Sequence, residues 1–170
     1  VFAFFLFRIA ARGEPAAFPM AGQVTYDGHA PIGDWHGSNE TLRGSVTWDR
    51  EAGTIGGEMT VDLTAWNSGN AVRDEHTRTM FETGRFTTAR YSFQIKTREG
   101  PVTLAGTLEL HGVKTELKIP GTLRTEKDKP VFDGEVVMRL SDWRIQPPTL
   151  LGAAVANEVR VRFHAGPVKP

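Results

Sequence analysis

The chain contains no cysteine among its 170 residues, which removes disulfides, thiolate chemistry and cysteine-based metal sites and leaves the redox compartment open. Neither sign of charge prevails: 20 basic and 20 acidic side chains cancel, and no long block of like charge appears. Nucleic-acid binding normally leaves a basic stripe, and none is present, so no nucleic-acid partner is expected. The apolar run Phe2–Phe7 is too short to cross a bilayer. The motifs G-x-S-x-G and S-x-x-K and the glycine-rich phosphate loop are missing as well. Five histidines (His29, His36, His76, His111 and His164) form no H-x-H or H-x-x-x-H pair. The reading is a non-enzyme without metal or cofactor; a metal or hydrolytic site built from His29, His36 and His76 is the weaker alternative.

What the sequence has is alternation. Ile55, Gly57, Met59, Val61, Leu63; Tyr91, Phe93, Ile95; Val102, Leu104, Gly106, Leu108, Leu110; Phe132, Gly134, Val136, Met138, Leu140; and Val159, Val161, Phe163 each recur at every second position. Successive strand side chains point to opposite faces, so each set lands on one side of a sheet. Turn signals at Asp27-Gly28, Asp49–Gly53, Glu99-Gly100-Pro101, His111-Gly112 and Glu126–Pro130 separate short strands. This spacing means an all-β sandwich or barrel. Gly57, Gly106 and Gly134 fall at inward positions, which favours a coiled barrel and leaves space inside. Two interiors remain open: a filled core serving a structural or protein-interaction module, or a cavity holding an apolar ligand.

Between Thr64 and Phe86 the alternation disappears, and Ala71–Phe81 reads as a short helix capped by Ser68 or Asn70. Val72, His76 and Met80 share one face, and Asp74 is placed to pair with Arg78. A helix this short must lie on something, and the open end of a barrel is the natural place. Arg73 and His76 then stand at the mouth, either contacting a polar ligand head or, for Arg73, bound to backbone carbonyls or a carboxylate. Phe81, Phe86, Tyr91, Phe93 and Phe163 fall in inward phase or at the loop-to-strand junction, and Met59, Met80 and Met138 add adaptable lining. Trp48, Trp66 and Trp143 lie near strand ends, where rims form. The expected ligand-binding set is Met59, Val61, Arg73, His76, Phe81, Phe86, Tyr91, Phe93, Ile95, Leu104, Leu108, Val136, Met138, Trp143, Val161 and Phe163.

The chain opens at Val1 rather than Met, followed by Phe2–Phe7, Arg8 and an Ala-rich stretch to Ala17. Residues 1–20 read as a truncated secretory signal or leader, with a leading strand or a gene-prediction artefact as the other reading. Residues 21–165 form one barrel domain, and 166–170 a tail.

Asn70-Ala71-Val72-Arg73-Asp74-Glu75-His76, then Phe81, then Arg90-Tyr91-Ser92-Phe93, resembles the N-x-x-R-D-x-H segment, phenylalanine and aromatic strand of the YceI-like family of polyisoprenoid-binding proteins. Gly106–Lys114 looks like that family's G-x-L-T-L-x-G-V-T/K hairpin, and Ser141-Asp142-Trp143-Arg144-Ile145 sits where the family tends to have a serine or arginine, an acidic residue and an aromatic. Gly28–Gly37 resembles a branch with an H-P-x-H-D-W pattern, with Gly33 replacing the second histidine. The resemblance implies one lipocalin-like antiparallel barrel of about eight strands with the short helix over its mouth. It also implies a carrier or sensor for an isoprenoid-type lipid, a polyprenyl or quinone tail, in a bacterial periplasmic or secreted protein that is a monomer or homodimer.

Overall fold

The computed structural model describes residues 15–30, 33–147, 149–150 and 152–168. Its elements run β1 (Ala16–Ala30), β2 (Gly33–Asp49), β3 (Thr54–Asp62), a 3₁₀ turn (Leu63–Ala65), α1 (Ala71–Met80), β4 (Thr88–Lys96), β5 (Gly100–Leu110), β6 (Val113–Glu126), β7 (Lys129–Arg139), a second 3₁₀ turn (Leu140–Trp143), β8 (Thr149–Leu150), β9 (Ala153–Ala154) and β10 (Glu158–Pro167). Eight of the strands close into an antiparallel barrel in the order β1-β10-β7-β6-β5-β4-β3-β2, and β8 pairs with β9 apart from it. Closure leaves the barrel sheet itself without an edge, which an open all-β sheet must otherwise protect.

The barrel reaches further toward the N-terminus than the sequence patterning suggests. Residues 16–20, read from sequence as leader, are the first rungs of β1, paired with Trp48 to Gly44 of β2. Met20 points inward and is buried, Phe18 is half-buried, and Ala16, Ala17 and Pro19 are exposed. Gly166 and Pro167, read as tail, complete β10 against Ala21 and Met20. The remainder of the leader reading, residues 1–14, lies outside the described residues.

Among the described residues the register shift lies between β1 and β2. Gly22 faces Leu42, but Val24 faces Asn39, so β2 holds one extra residue between them. Such a bulge moves the inward phase by one position. Gly37 and Asn39 point inward before it; Leu42, Val46 and Trp48 do so after it. Asn39 holds the bulge from inside: its amide oxygen accepts from the Thr41 backbone N–H at 3.0 Å and from the Thr41 hydroxyl at 2.6 Å, while its NH₂ donates to the Asp62 carbonyl at 2.7 Å. A buried amide so engaged avoids the desolvation cost of an orphan.

The inward glycines coil the sheet, as expected, but do not enlarge its interior. A Cβ on Gly57 would collide with the Ser45 carbonyl, and one on Gly106 with the Ser92 carbonyl and the Tyr91 ring. At Gly134 the Phe132 ring occupies the vacated position. The missing side chains are replaced by the close approach of neighbouring backbone and aromatic rings.

Pairing between β6 and β7 spans only Gly121–Glu126 and Lys129–Gly134. Pro120, which has no N–H to donate, stands where it stops. The second 3₁₀ turn folds in beside that seam. The Trp143 indole donates to the Leu108 carbonyl on β5 at 3.3 Å, and the Trp143 carbonyl accepts from the His111 ring at 3.1 Å.

Candidate ligand cavity

The inward side chains do not fill the barrel. They enclose a cavity of about 510 Å³, within the range of small-molecule sites. A solidly filled core, the other reading left open by the sequence, is therefore not what the chain builds.

Twelve of the sixteen expected residues line this cavity. Met59 and Val61 of β3, Tyr91 and Phe93 of β4, Leu104 and Leu108 of β5, Met138 of β7, and Val161 and Phe163 of β10 form wall positions. Arg73, His76 and Phe81 stand at the α1 end. Four do not line it. Phe86 packs edge-on against His111 at 4.7 Å and covers Gly112, with Arg85 over its other face at 4.9 Å, so it braces the rim from outside. Ile95 and Val136 have inward phase but pack into the core beyond the cavity wall. Trp143 is 1% exposed and packed in the core, with its indole bonded to the Leu108 carbonyl of β5. Trp48, expected at a rim, is buried instead, with the Arg50 guanidinium 4.6 Å over its ring.

The lining also includes residues the sequence reading passed over. Met20, Val24 and Tyr26 come from β1, Leu42 and Val46 from β2, and Leu117, Ile119 and Leu123 from β6. On β1 and β2, inward glycines, Asn39 and the bulge interrupt the apolar alternation, which hid these strands. On β6 the pattern Val113, Thr115, Leu117, Ile119, Gly121, Leu123 was present and usable.

At one end α1 closes the barrel. The Asn70 side chain accepts from the Arg73 N–H at 3.0 Å, the expected N-cap. Asp74 does not pair with Arg78. It accepts from the Ser68 backbone N–H at 2.8 Å and the Ser68 hydroxyl at 2.6 Å, while Arg78 bonds Glu75 at 2.9 Å. Asp74 is thereby drawn back onto the loop preceding the helix, one turn from where the i,i+4 pair would form. No residue of α1 is buried. The segments on either side of the helix are tied to the barrel: Ser38 and Asn67 exchange backbone hydrogen bonds of 2.8 and 2.9 Å, and the Leu63 N–H donates to the Thr87 carbonyl at 2.8 Å, while Met80 packs against the core. Val72, Arg73, His76, Thr77 and Met80 face the cavity.

Polarity divides sharply along the barrel axis. The charged lining residues, Asp34 and Arg73, and the titratable His76 all stand at the α1 end. There the Asp34 carboxylate is bound to the His29 ring. The Arg73 guanidinium has no hydrogen-bonding or ion-pair partner among the described residues, so the tethered arrangement weighed from sequence is not found. Tyr26 lies over its cross-strand partner Gly37 and meets Trp66 edge-on at 5.2 Å. Burial pushes the Tyr26 phenol upward and Asp74 adds to this, while Thr77 and Arg73 temper it. The Thr77 hydroxyl donates to the Arg73 carbonyl at 3.0 Å. Deeper in, Tyr91 stacks on Phe93 at 5.8 Å and donates its hydroxyl to the Leu104 and Leu117 carbonyls at 2.8 and 3.0 Å. Burial raises its phenol to about 12.

Among the described residues no group of three or more histidine, aspartate or glutamate side chains could hold a metal, so His29, His36 and His76 are not gathered into a centre. No helix of the described residues is long and apolar enough to cross a membrane.

Similar architectures are known. BcnA from Burkholderia cenocepacia superposes with a TM-score of 0.73 at 16% identity, over 86% of this chain and 96% of that one. A polyisoprenoid binding domain from Saccharophagus degradans, implicated in plant cell wall breakdown, gives 0.73 at 17% identity, covering 92% and 100%. The Campylobacter jejuni YceI protein gives 0.60 at 16%, covering 83% and 90%. At these identities the likeness is one of fold. No curated protein matches the chain. The YceI-like domain model matches residues 19–166, nearly the whole barrel, and the chain belongs to that family.

Proposed function

We propose that this barrel is a non-enzymatic carrier or sensor that holds the tail of an isoprenoid-type lipid, a polyprenyl or quinone chain, in its cavity. The observation that carries the reading is the lining itself: apolar along the wall, with charge only at the α1 end. A tail of about fifteen carbons at about 0.8 kcal/mol per buried methylene contributes about 12 kcal/mol, comparable to the roughly 4–15 kcal/mol that association and ordering cost. A wall of Met, Leu, Val and aromatic side chains accepts a branched chain without requiring polar partners along its length. The solved polyisoprenoid binding domain of the same fold supports the choice of tail chemistry. Export belongs to the same proposal and rests on the apolar Phe2–Phe7 run and the family resemblance; reading the upstream coding sequence for an initiator methionine and basic residues tests it.

Native mass spectrometry of protein purified from cells is the direct test of binding. The expected result is a bound species released by organic solvent and identified as a polyprenyl compound. After delipidation, the protein should rebind geranylgeraniol, and Leu108→Trp, which fills the wall, should lower that affinity at least tenfold. Bare protein that also fails to take up geranylgeraniol defeats the reading.

A further inference from the structure

By distance and angle two buried polar atoms at the mouth form no hydrogen bond among the described residues: the Tyr26 hydroxyl, beside which the Thr77 hydroxyl stands, and the Trp66 indole nitrogen. Both side chains line the cavity, and they touch one another edge-on at 5.2 Å. Buried polar groups are nearly always paired, and leaving one unpaired is costly. Two orphans side by side on a cavity wall therefore mark a place where a bound molecule supplies what the protein does not.

Their chemistry restricts what that molecule presents. An indole N–H only donates, a guanidinium only donates, and a phenol donates readily. Trp66, Arg73 and Tyr26 thus offer three sets of donors on the same lining, with the arginine unpaired among the described residues. The acidic side chains nearby are already engaged: Asp34 holds the His29 ring, and Asp74 accepts twice from Ser68. Neither serves as the missing acceptor.

Resting on the lipid-tail reading above, we infer that the mouth selects a ligand whose head group is an anionic oxygen acceptor, a phosphate or a carboxylate, received by Arg73, Tyr26 and Trp66. A cation beside a low-dielectric cavity strengthens such charge-assisted hydrogen bonds. A bare alcohol has too few acceptor positions to satisfy all three. Arg73 is the charge-selecting residue, and the two aromatic donors fix the head group at the end of the apolar wall.

The test compares three probes with the same tail, geranylgeranyl phosphate, geranylgeranoic acid and geranylgeraniol, by titration calorimetry on delipidated protein. The expected result is at least tenfold tighter binding of one or both acids than of the alcohol. Arg73→Gln should abolish that preference, so that the two acids and the alcohol bind within about threefold of one another. Tyr26→Phe, which keeps the ring shape, and Trp66→Phe, which removes the indole N–H together with part of the ring, should each reduce the preference several-fold. A stronger effect on the phosphate than on the acid assigns a phosphate head, and the reverse assigns a carboxylate. Equal binding of acids and alcohol, or a preference that survives Arg73→Gln, overturns the head-group inference and leaves the lipid reading standing. Failure of all three probes to bind removes the lipid reading itself.

Discussion

The chain's two tyrosines, Tyr26 and Tyr91, both stand on the cavity wall, yet they are treated in opposite ways. Tyr91 lies across β5 over Gly106 and gives its hydroxyl to two carbonyls, so it ties β4 to β5 and β6. Tyr26, at the α1 end, keeps a buried hydroxyl with no partner. The lower barrel is thus internally complete, and the mouth is not. That difference separates a wall whose polar groups are satisfied within the barrel from a mouth whose polar groups are not.

Exchanging side chains between these regions tests the contrast, and the largest effect is expected at the floor. Phe132 is buried and its ring fills the positions left by Gly121 and Gly134. Phe132→Ala should cost about 3–5 kcal/mol in urea denaturation, by lost transfer energy and a residual void. Val72→Ala, on the mouth helix at 66% exposure, should stay within about 0.5 kcal/mol. Similar losses at both sites would mean that α1 is as integral as the floor.

The tyrosines themselves sharpen the comparison at smaller scale. Tyr91→Phe removes two hydrogen bonds and should destabilise the ligand-free protein by about 1–2 kcal/mol. Tyr26→Phe removes a hydroxyl that is buried at a cost, so stability should be unchanged or slightly higher. A loss at Tyr26 matching that at Tyr91 would show that its hydroxyl is satisfied after all.

Alkaline pH gives the mildest form of the same test. The Tyr91 phenol is raised from 10.0 to about 12 by burial, so the folded state holds the proton more tightly than the unfolded one. The associated stability is complete below 10 and is lost as pH rises through that window. Urea midpoints of the native sequence should fall between 10 and 12, and Tyr91→Phe should flatten that fall.

Much of this architecture is legible in the sequence where apolar residues alternate without interruption. β3, β4, β5 and β7 follow from Ile55–Val61, Tyr91–Ile95, Val102–Leu110 and Phe132–Met138 because a pleated strand imposes period two whatever its neighbours are. α1 is readable from the loss of that period and from the Asn70 cap. β1 and β2 are harder. Gly22, Gly28, Gly37 and Gly44 stand where an apolar side chain would announce the inward face, and the bulge beside Asn39 reverses the phase midway.

Alternation by itself determined which residues point inward, and composition with turn spacing determined an all-β chain. Whether the inward residues meet or leave a chamber was decided only in three dimensions, because that depends on how tightly the sheet coils. The glycines gave backbone approach rather than added volume, and Val136 and Trp143, inward or rim-like in sequence, were diverted into the core. The orphaned donors at the mouth are likewise a property of closure: Tyr26 and Trp66 lie 40 residues apart in the chain and acquire their shared, partnerless position only when α1 folds over the barrel's end.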